Sequence, residues 1–313
     1  MTLSRYEFEV LAFLEREGEG EYGVRRLADT LRLSGTCIAR TLDGLAADGL
    51  IRRDGKNLAV TDAGLAALEP YRVRRAVILG AGFGSRMMPA TADRPKPMVT
   101  VRGTRIIDTL LDALLGVGIT DITFVGGYHF ERLAELQRKY PFLRLVENVR
   151  YAEGNNILSM LLALDKLHGG CYLCEADLYI TNPGVIRKYQ YASNILGSFS
   201  LETDDWSFTM VDGCLEDYRK GGTFRYNYYG ISYWTPEDGE KLLQDFPEAA
   251  ASPGGTDLFW EFVPFVLFHD RYRVEVRPCE KADIMEIDNY RELAQLDPTY
   301  VLPAAGEGGE AAK

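Results

Sequence analysis

Across 313 residues the chain carries a formal net charge of −11, an apolar fraction of 46% and five cysteines. The length fits about two domains and the composition a packed core, while the acidic balance excludes nucleic acid as a bulk electrostatic partner, because a phosphate backbone needs a basic footprint. No apolar run approaches the roughly 18 residues of a membrane span, the N-terminus with Glu7 and Glu9 is no signal peptide, and an odd cysteine count with a single C-x-x-C (Cys171, Cys174) points to buried, reduced thiols. The expectation is a soluble, cytoplasmic protein with no membrane partner.

In chain order, Tyr6, Val10, Leu11, Phe13 and Leu14 have helical spacing, 24–31 reads as a second amphipathic helix and 36–47 as a third. Leu33-Ser34-Gly35 supplies a tight turn with a capping serine between the last two. Residues 50–60 alternate as two strands around an Asp54-Gly55 turn, and Thr61 opens a last short helix. Three helices followed by a hairpin resemble the winged helix-turn-helix of the MarR type, whose third helix enters the DNA major groove. Here residues 1–72 hold 10 Lys and Arg against 12 Asp and Glu, with Arg40, Thr36 and Thr41 on the third helix and Arg52, Arg53 and Lys56 on the wing. Weak DNA contact and dimerisation are both compatible with that charge. The predicted domains are therefore a winged helix over 1–70, a linker at 71–75, a second domain over 76–300 and a disordered tail at 301–313.

The second domain opens on a buried strand at 76–79 that breaks into Gly80-Ala81-Gly82-Phe83-Gly84-Ser85-Arg86. Glycines after a strand let backbone N–H groups approach an oxyanion. A dinucleotide-binding turn would lead straight into a long helix, but Pro89, Pro95 and Pro97 leave no room for one. The segment stays a loop and presents two cations, Arg86 and Lys96.

Beyond it, helices at 106–115, 129–140 and 156–167 alternate with strands at 119–125, 143–147 and 171–176. Such alternation predicts an α/β fold with a Rossmann-like, mostly parallel sheet covered by helices on both faces, its ligands beyond the carboxyl ends of the strands. Past residue 190 the pattern turns aromatic, with strands expected at 208–210, 223–228, 230–234 and 273–277 and a buried helix at 262–268.

Several residues carry chemistry. Asp177 follows the strand at 171–176 and suits Mg²⁺, which binds through one or two carboxylates plus phosphate oxygens and water. Asp288, in Ile284-Met-Glu-Ile-Asp288 with Glu286 alternating beside it, lies in a segment whose role comes from the resemblance given below. Asn155 and Asn156 offer amides, with Ser159 in the same segment, for a base edge or ribose, and Gly127-Tyr128 ends a strand where the base could lie. Glu202 to Trp206 and Asp257-Leu-Phe259-Trp260-Glu261 combine rings with carboxylates, the means of holding a quaternary ammonium that has no N–H to donate.

G-x-G-x-R followed by P-K resembles the signature of nucleotidyltransferases, and Gly82 to Arg86, Pro89, Thr91 and Pro95-Lys96 look most like the bacterial phosphocholine cytidylyltransferases of the LicC type. The resemblance covers roughly 74–297. It implies a nucleotidyltransferase fold and transfer of CMP from CTP to phosphocholine, giving CDP-choline and pyrophosphate. It places Lys96 on the α-phosphate and the acceptor phosphate, Arg86 with the glycine-loop amides on the β- and γ-phosphates, Asp177 and Asp288 on Mg²⁺, and Trp206, Phe259 and Trp260 around choline. Two departures stand out: Gly80 where alanine is common, and Met88 where the family often has a second basic residue. The alternatives are 2-aminoethylphosphonate, phosphoethanolamine or a sugar 1-phosphate as acceptor, or a winged-helix transcription regulator whose second domain only senses a nucleotide.

Overall fold

The computed structural model describes residues 2–302, so the expected tail from residue 303 onward lies outside the described residues. The chain forms two compact units, one of residues 1–73 together with 188–191, the other of 74–187 and 192 onward.

In the first unit, α1 (Arg5–Glu17) starts at a capping box in which Ser4 and Glu7 satisfy each other's backbone N–H groups. β1 (Gly20–Glu21), α2 (Val24–Leu31) and α3 (Gly35–Ala47) follow, α3 capped by Ser34. β2 (Ile51–Asp54) and β3 (Asn57–Val60) form the hairpin, β1 adds to its edge through β3, and α4 (Asp62–Leu68) starts at Thr61. The helices close over Leu11, Leu14, Leu27, Ile38, Leu42 and Leu58. That core also takes in Tyr189, while Tyr191 stacks on Tyr71 at 5.5 Å and tilts against Phe8 at 5.2 Å. Tyr71, expected in the linker, is thus part of this ring cluster.

The second unit is built on a seven-stranded sheet among the described residues. β4 (Arg75–Gly80) lies in its interior, an apolar run buried on both faces. After β4 come a two-stranded turn, β5 (Thr100–Val101) with β6 (Thr104–Arg105), then α5 (Ile106–Gly116), β7 (Asp121–Gly126), α6 (Leu136–Lys139), β8 (Arg144–Glu147), α7 (Ile157–Leu161) and β9 (Cys171–Glu175). β7 and β9 flank β4 in parallel, and β8 extends the sheet beyond β7. Cys171 and Cys174 are fully buried free thiols on β9, and burial pushes the Cys171 thiol up to about 12.

Two expected helices are shorter than their patterns. His129 takes a left-handed φ of 50° and a 3₁₀ turn fills 130–135, leaving four α residues in α6; in the 156–167 segment only α7 is regular, followed by a 3₁₀ turn at 164–167. The segment at 262–268 winds as a π-helix, Val263–Leu267, with Pro264 in its first turn.

The strands expected as separate pieces past residue 190 fuse into one long hairpin, β11 (Asn194–Val211) with β12 (Cys214–Trp234), interrupted by bulges. β12 pairs antiparallel with β9 and so joins the hairpin to the sheet. β10 (Leu178–Ile180) follows β9, α8 (Pro236–Ala251) follows the hairpin, and β13 (Glu275–Pro278) runs parallel to β11. β14 (Ile284–Glu286) pairs with β10, and α9 (Tyr290–Leu296), capped by Asn289, comes last. No helix among the described residues is long and apolar enough to cross a membrane.

Candidate active site

β4 and β9 end side by side, so the loops that follow them meet. The glycine loop leaves β4 at Gly80, where an added Cβ would stand 2.6 Å from the Ala176 Cβ and 2.7 Å from the Phe124 ring. The departure from alanine noted at Gly80 therefore has a steric cause in this chain. Gly84 turns the loop with φ at 60°, and Thr91 Oγ1 donates to its carbonyl at 2.9 Å, folding the proline-rich stretch back on the loop. Lys96 then sits in a single 3₁₀ turn, almost completely buried, and Arg86 stays exposed.

The opposite wall comes from the β10–β14 ladder. Asp177 precedes β10 and Asp288 follows β14, and the register Leu178↔Glu286 brings the two chain segments together. Oxygens of Asp177, Glu286 and Asp288 lie within 4.8 Å of one another. Lys96 Nζ donates to Asp177 Oδ2 at 2.9 Å and to Asp288 Oδ1 at 3.4 Å, and Arg86 forks onto Asp288 at 3.1 and 3.3 Å.

The electrostatics follow from crowding. Glu175 and Glu261 line the same cleft of about 500 Å³ as the three carboxylates above. Burial, then Glu261, Asp177 and Glu286 as like charges, hold the Glu175 carboxyl well above the usual range. Burial raises Glu286 as well, with Asp177 and Asp288 adding to it. Burial also pushes Glu261 up to about 7. Asp177 differs: burial opposes its charge, but the Lys96 ammonium outweighs burial and holds the carboxyl below its ordinary value. Lys96 is in turn held above its ordinary value, Asp177 and Asp288 outweighing its own burial.

The three-carboxylate cluster fits a hard divalent cation. Its donors are all oxygens, and Asp177 Oδ1 is buried with no hydrogen-bond partner among the described residues. The ordinary penalty for such an orphaned oxygen is relieved by coordination.

The other wall is made by the hairpin and the segment before the π-helix. Trp206, Asp205, Lys220 and Tyr228 line the cleft from β11 and β12, and Phe259 and Glu261 from 259–261. Trp206 stacks one face on Tyr218 at 5.4 Å and meets the edges of Phe259 and Phe262 at 5.8 and 5.3 Å. One Glu261 oxygen, Oε2, and the Tyr228 hydroxyl are buried without partners among the described residues.

Of the residues singled out from sequence, Gly80, Ala81, Gly82, Gly84, Ser85, Arg86, Lys96, Asn155, Asn156, Ser159, Asp177, Trp206, Phe259 and Asp288 line this cleft. Others lie elsewhere. Trp260 is fully buried in the core behind the cleft, 6.0 Å from Phe265 and 6.4 Å from Trp234, because its neighbours Phe259 and Glu261 take the cleft side. Glu202 and Asp257 are exposed outside the cleft lining; Glu202 precedes the bulge that brings its strand into the site.

Gly127 and Tyr128 also fall outside the lining. Tyr128 N–H donates to the Ala81 carbonyl at 3.1 Å and its ring meets Phe83 at 5.6 Å, so this pair buttresses the loop from behind. Within the protein, Asn156 accepts from Trp260 N–H at 2.7 Å and donates to Glu175 at 3.3 Å, Asn155 Oδ1 accepts from Asn156 N–H, and Ser159 accepts from Asn148, which fixes these side chains in the cleft wall.

Sequence reasoning did not single out Glu175 or Lys220, and it took Asp205 and Glu261 only as members of the acidic aromatic runs 202–206 and 257–261. Glu175 stands two places before Asp177, and a carboxylate at that spacing from a site residue is the signal that was available. Lys220 has no local signal, since only pairing across the hairpin brings it in.

Comparison with known proteins gives the lineage. A family model described as nucleotidyl transferase matches residues 75–156. A 2-aminoethylphosphonate cytidylyltransferase from Lancefieldella rimae is 37% identical over 230 residues, 72% of this chain and 93% of that protein. This chain belongs to the nucleotidyltransferase family.

The nucleotidyltransferase is also similar to the choline-phosphate cytidylyltransferase of Streptococcus pneumoniae, 29% identical over 232 residues, 71% of this chain and 96% of that one. A solved structure of CTP:phosphocholine cytidylyltransferase from the same organism superposes with a TM-score of 0.67, covering 73% of this chain and 99% of that one. The glycine loop, β9 and the carboxylate cluster thus belong to an enzyme of nucleotidyl transfer.

Proposed function

We propose that this enzyme transfers CMP from CTP to a phosphonate or phosphate oxygen of a small zwitterion carrying a primary ammonium, with 2-aminoethylphosphonate as the best-supported acceptor. The observation that carries this reading is Glu261, a buried carboxylate with one unpartnered oxygen in the cleft beside Trp206 and Phe259. A primary ammonium brings three N–H donors and satisfies such an oxygen; a quaternary ammonium brings none. Trp206 also has one face already covered by Tyr218, so the rings offer less than a full cage. The 37% identity to a 2-aminoethylphosphonate cytidylyltransferase supports the same choice.

Phosphocholine, the acceptor expected from sequence, stays as the second reading, because Trp206 and Phe259 present ring surface to the cleft and the Streptococcus pneumoniae relatives act on choline phosphate.

In the proposed reaction an anionic oxygen of the acceptor attacks the α-phosphorus in line and pyrophosphate leaves, so no general base is required. The chain's task is positioning and charge neutralisation. Backbone N–H groups of the glycine loop and Arg86 hold the β- and γ-phosphates, and Lys96 neutralises charge developing at the α-phosphate. Asp177 and Asp288, with Glu286 beside them, would hold Mg²⁺, which supplies further neutralisation of the triphosphate.

The first unit has the element order of a winged helix, and we read it as a dimerisation or partner-binding module. Two wing cations are neutralised, Arg52 by Glu19 at 2.7 Å and Arg53 by Asp43 at 2.5 Å, which weakens the case for DNA.

Pyrophosphate release measured with CTP and each acceptor tests the assignment. 2-Aminoethylphosphonate should give the highest kcat/KM and phosphocholine a value at least about tenfold lower, the worth of one charge-assisted hydrogen bond. A preference for phosphocholine would overturn the primary-amine reading.

A further inference from the structure

Three cations line the cleft, and two are committed: Lys96 to Asp177 and Asp288, Arg86 to Asp288. The third, Lys220, is exposed on β12 and forms no ion pair among the described residues. Its place is set by the hairpin. Thr203 pairs with Gly222 and Trp206 with Lys220, so β11 advances by one residue more than β12 and Asp204-Asp205 bulge against Gly221. Gly221 and Gly222 accept the bend with φ of 70° and 131°. Direct cross-strand partners share a face of the sheet, so Lys220 stands beside the Trp206 indole, and Asp205 from the bulge joins them in the lining.

An acceptor of the proposed kind has an anionic and a cationic end. The cationic end suits Glu261. The anionic end must enter a cleft that already contains Glu175, Asp177, Glu261, Glu286 and Asp288, and with Lys96 and Arg86 assigned above to the triphosphate it needs a third cation. We propose that Lys220 binds the phosphonate or phosphate oxygens of the acceptor and is a specificity residue for its anionic end. This rests on the reading above that the acceptor carries a phosphonate or phosphate. A lysine suits the task, because its compact ammonium on a flexible stem can follow a tetrahedral anion toward the α-phosphorus.

The test reads binding directly, by ³¹P line broadening of 2-aminoethylphosphonate and of ethylphosphonate, which lacks the amine, on the full-length enzyme loaded with Mg²⁺ and a non-hydrolysable CTP analogue. Lys220→Gln should weaken both probes by about 10- to 100-fold, the range for losing one hydrogen bond to a charged group, with Lys220→Arg restoring most of it. Affinity for the CTP analogue should stay unchanged. Glu261→Gln should weaken only the aminated probe. Equal binding of ethylphosphonate to wild type and Lys220→Gln, a matching loss of CTP-analogue affinity, or no phosphonate binding by wild type would each overturn the assignment. Loss of ethylphosphonate binding in Lys220→Gln, with 2-aminoethylphosphonate untouched by Glu261→Gln, would sustain Lys220 and remove the primary-amine reading instead.

Discussion

At the scale of single residues, the site is a balance between carboxylates and one buried lysine. Lys96 keeps Asp177 ionised while Glu175, Glu261 and Glu286 are pushed toward their neutral forms. This makes stability depend on pH with a definite sign. Glu261 has a folded-state value of about 7, raised by burial from 4.5, so the stability it contributes is fully present below about 4.5 and is lost as pH rises through about 7. Glu175, also raised, acts in the same direction. Asp177, which is lowered, loses its contribution only as pH falls through the acid range, and it does not offset the others near neutrality. The metal-free protein should therefore melt at a lower temperature at pH 8 than at pH 5.5, and Glu261→Gln should flatten that slope in a calorimetric series. Parallel slopes for the two proteins would show that Glu261 does not titrate in this range.

At the scale of elements, what was legible in sequence was local. The glycine loop, its prolines and Asp177 lie within one strand end each, so composition alone reports them. The sequence reading assigned no element to 236–251, where α8 buries Gly239, Leu242, Phe246 and Ala249 on one stripe; Pro236 sits in its first turn, and the helix runs on through Pro247. The β10–β14 ladder was invisible in the sequence. Two three-residue strands carry no period, and their pairing joins segments far apart in the chain. The hairpin was read in fragments because Asp204-Asp205, Asp212-Gly213 and Gly221-Gly222 interrupt its alternation, the first and last of these forming the bulge that feeds the site. Deleting Asp204 should restore a regular ladder there and misplace Asp205 and Trp206 against the acceptor. The acceptor KM should rise or kcat fall, together by about 10²-fold, the cost of a displacement near 1 Å, with CTP affinity unaltered. An unchanged kcat/KM for the acceptor would show that the bulge does not position these side chains.

At the scale of the whole molecule, the chain does not divide at one point. Tyr189 is 5% exposed within the first unit's core, and Tyr191 lies on Tyr71 and under the Arg5 guanidinium at 5.1 Å. A chain beginning at Arg74 would keep every cleft residue yet strip both tyrosines of their cover. It should associate on size-exclusion chromatography, and Tyr189→Ser with Tyr191→Ser should return it to a single sharp species. A monodisperse Arg74 chain without those changes would show that the tyrosines need no cover. The same arrangement orders events during synthesis. The first unit is translated early, but the piece that completes its core is made only after residues 74–187, and at about 5 to 20 residues per second that gap lasts roughly 6 to 24 s. The nascent N-terminal helices wait through that interval with an unfinished core, while β4 and β7 are made early in it and are available to pair.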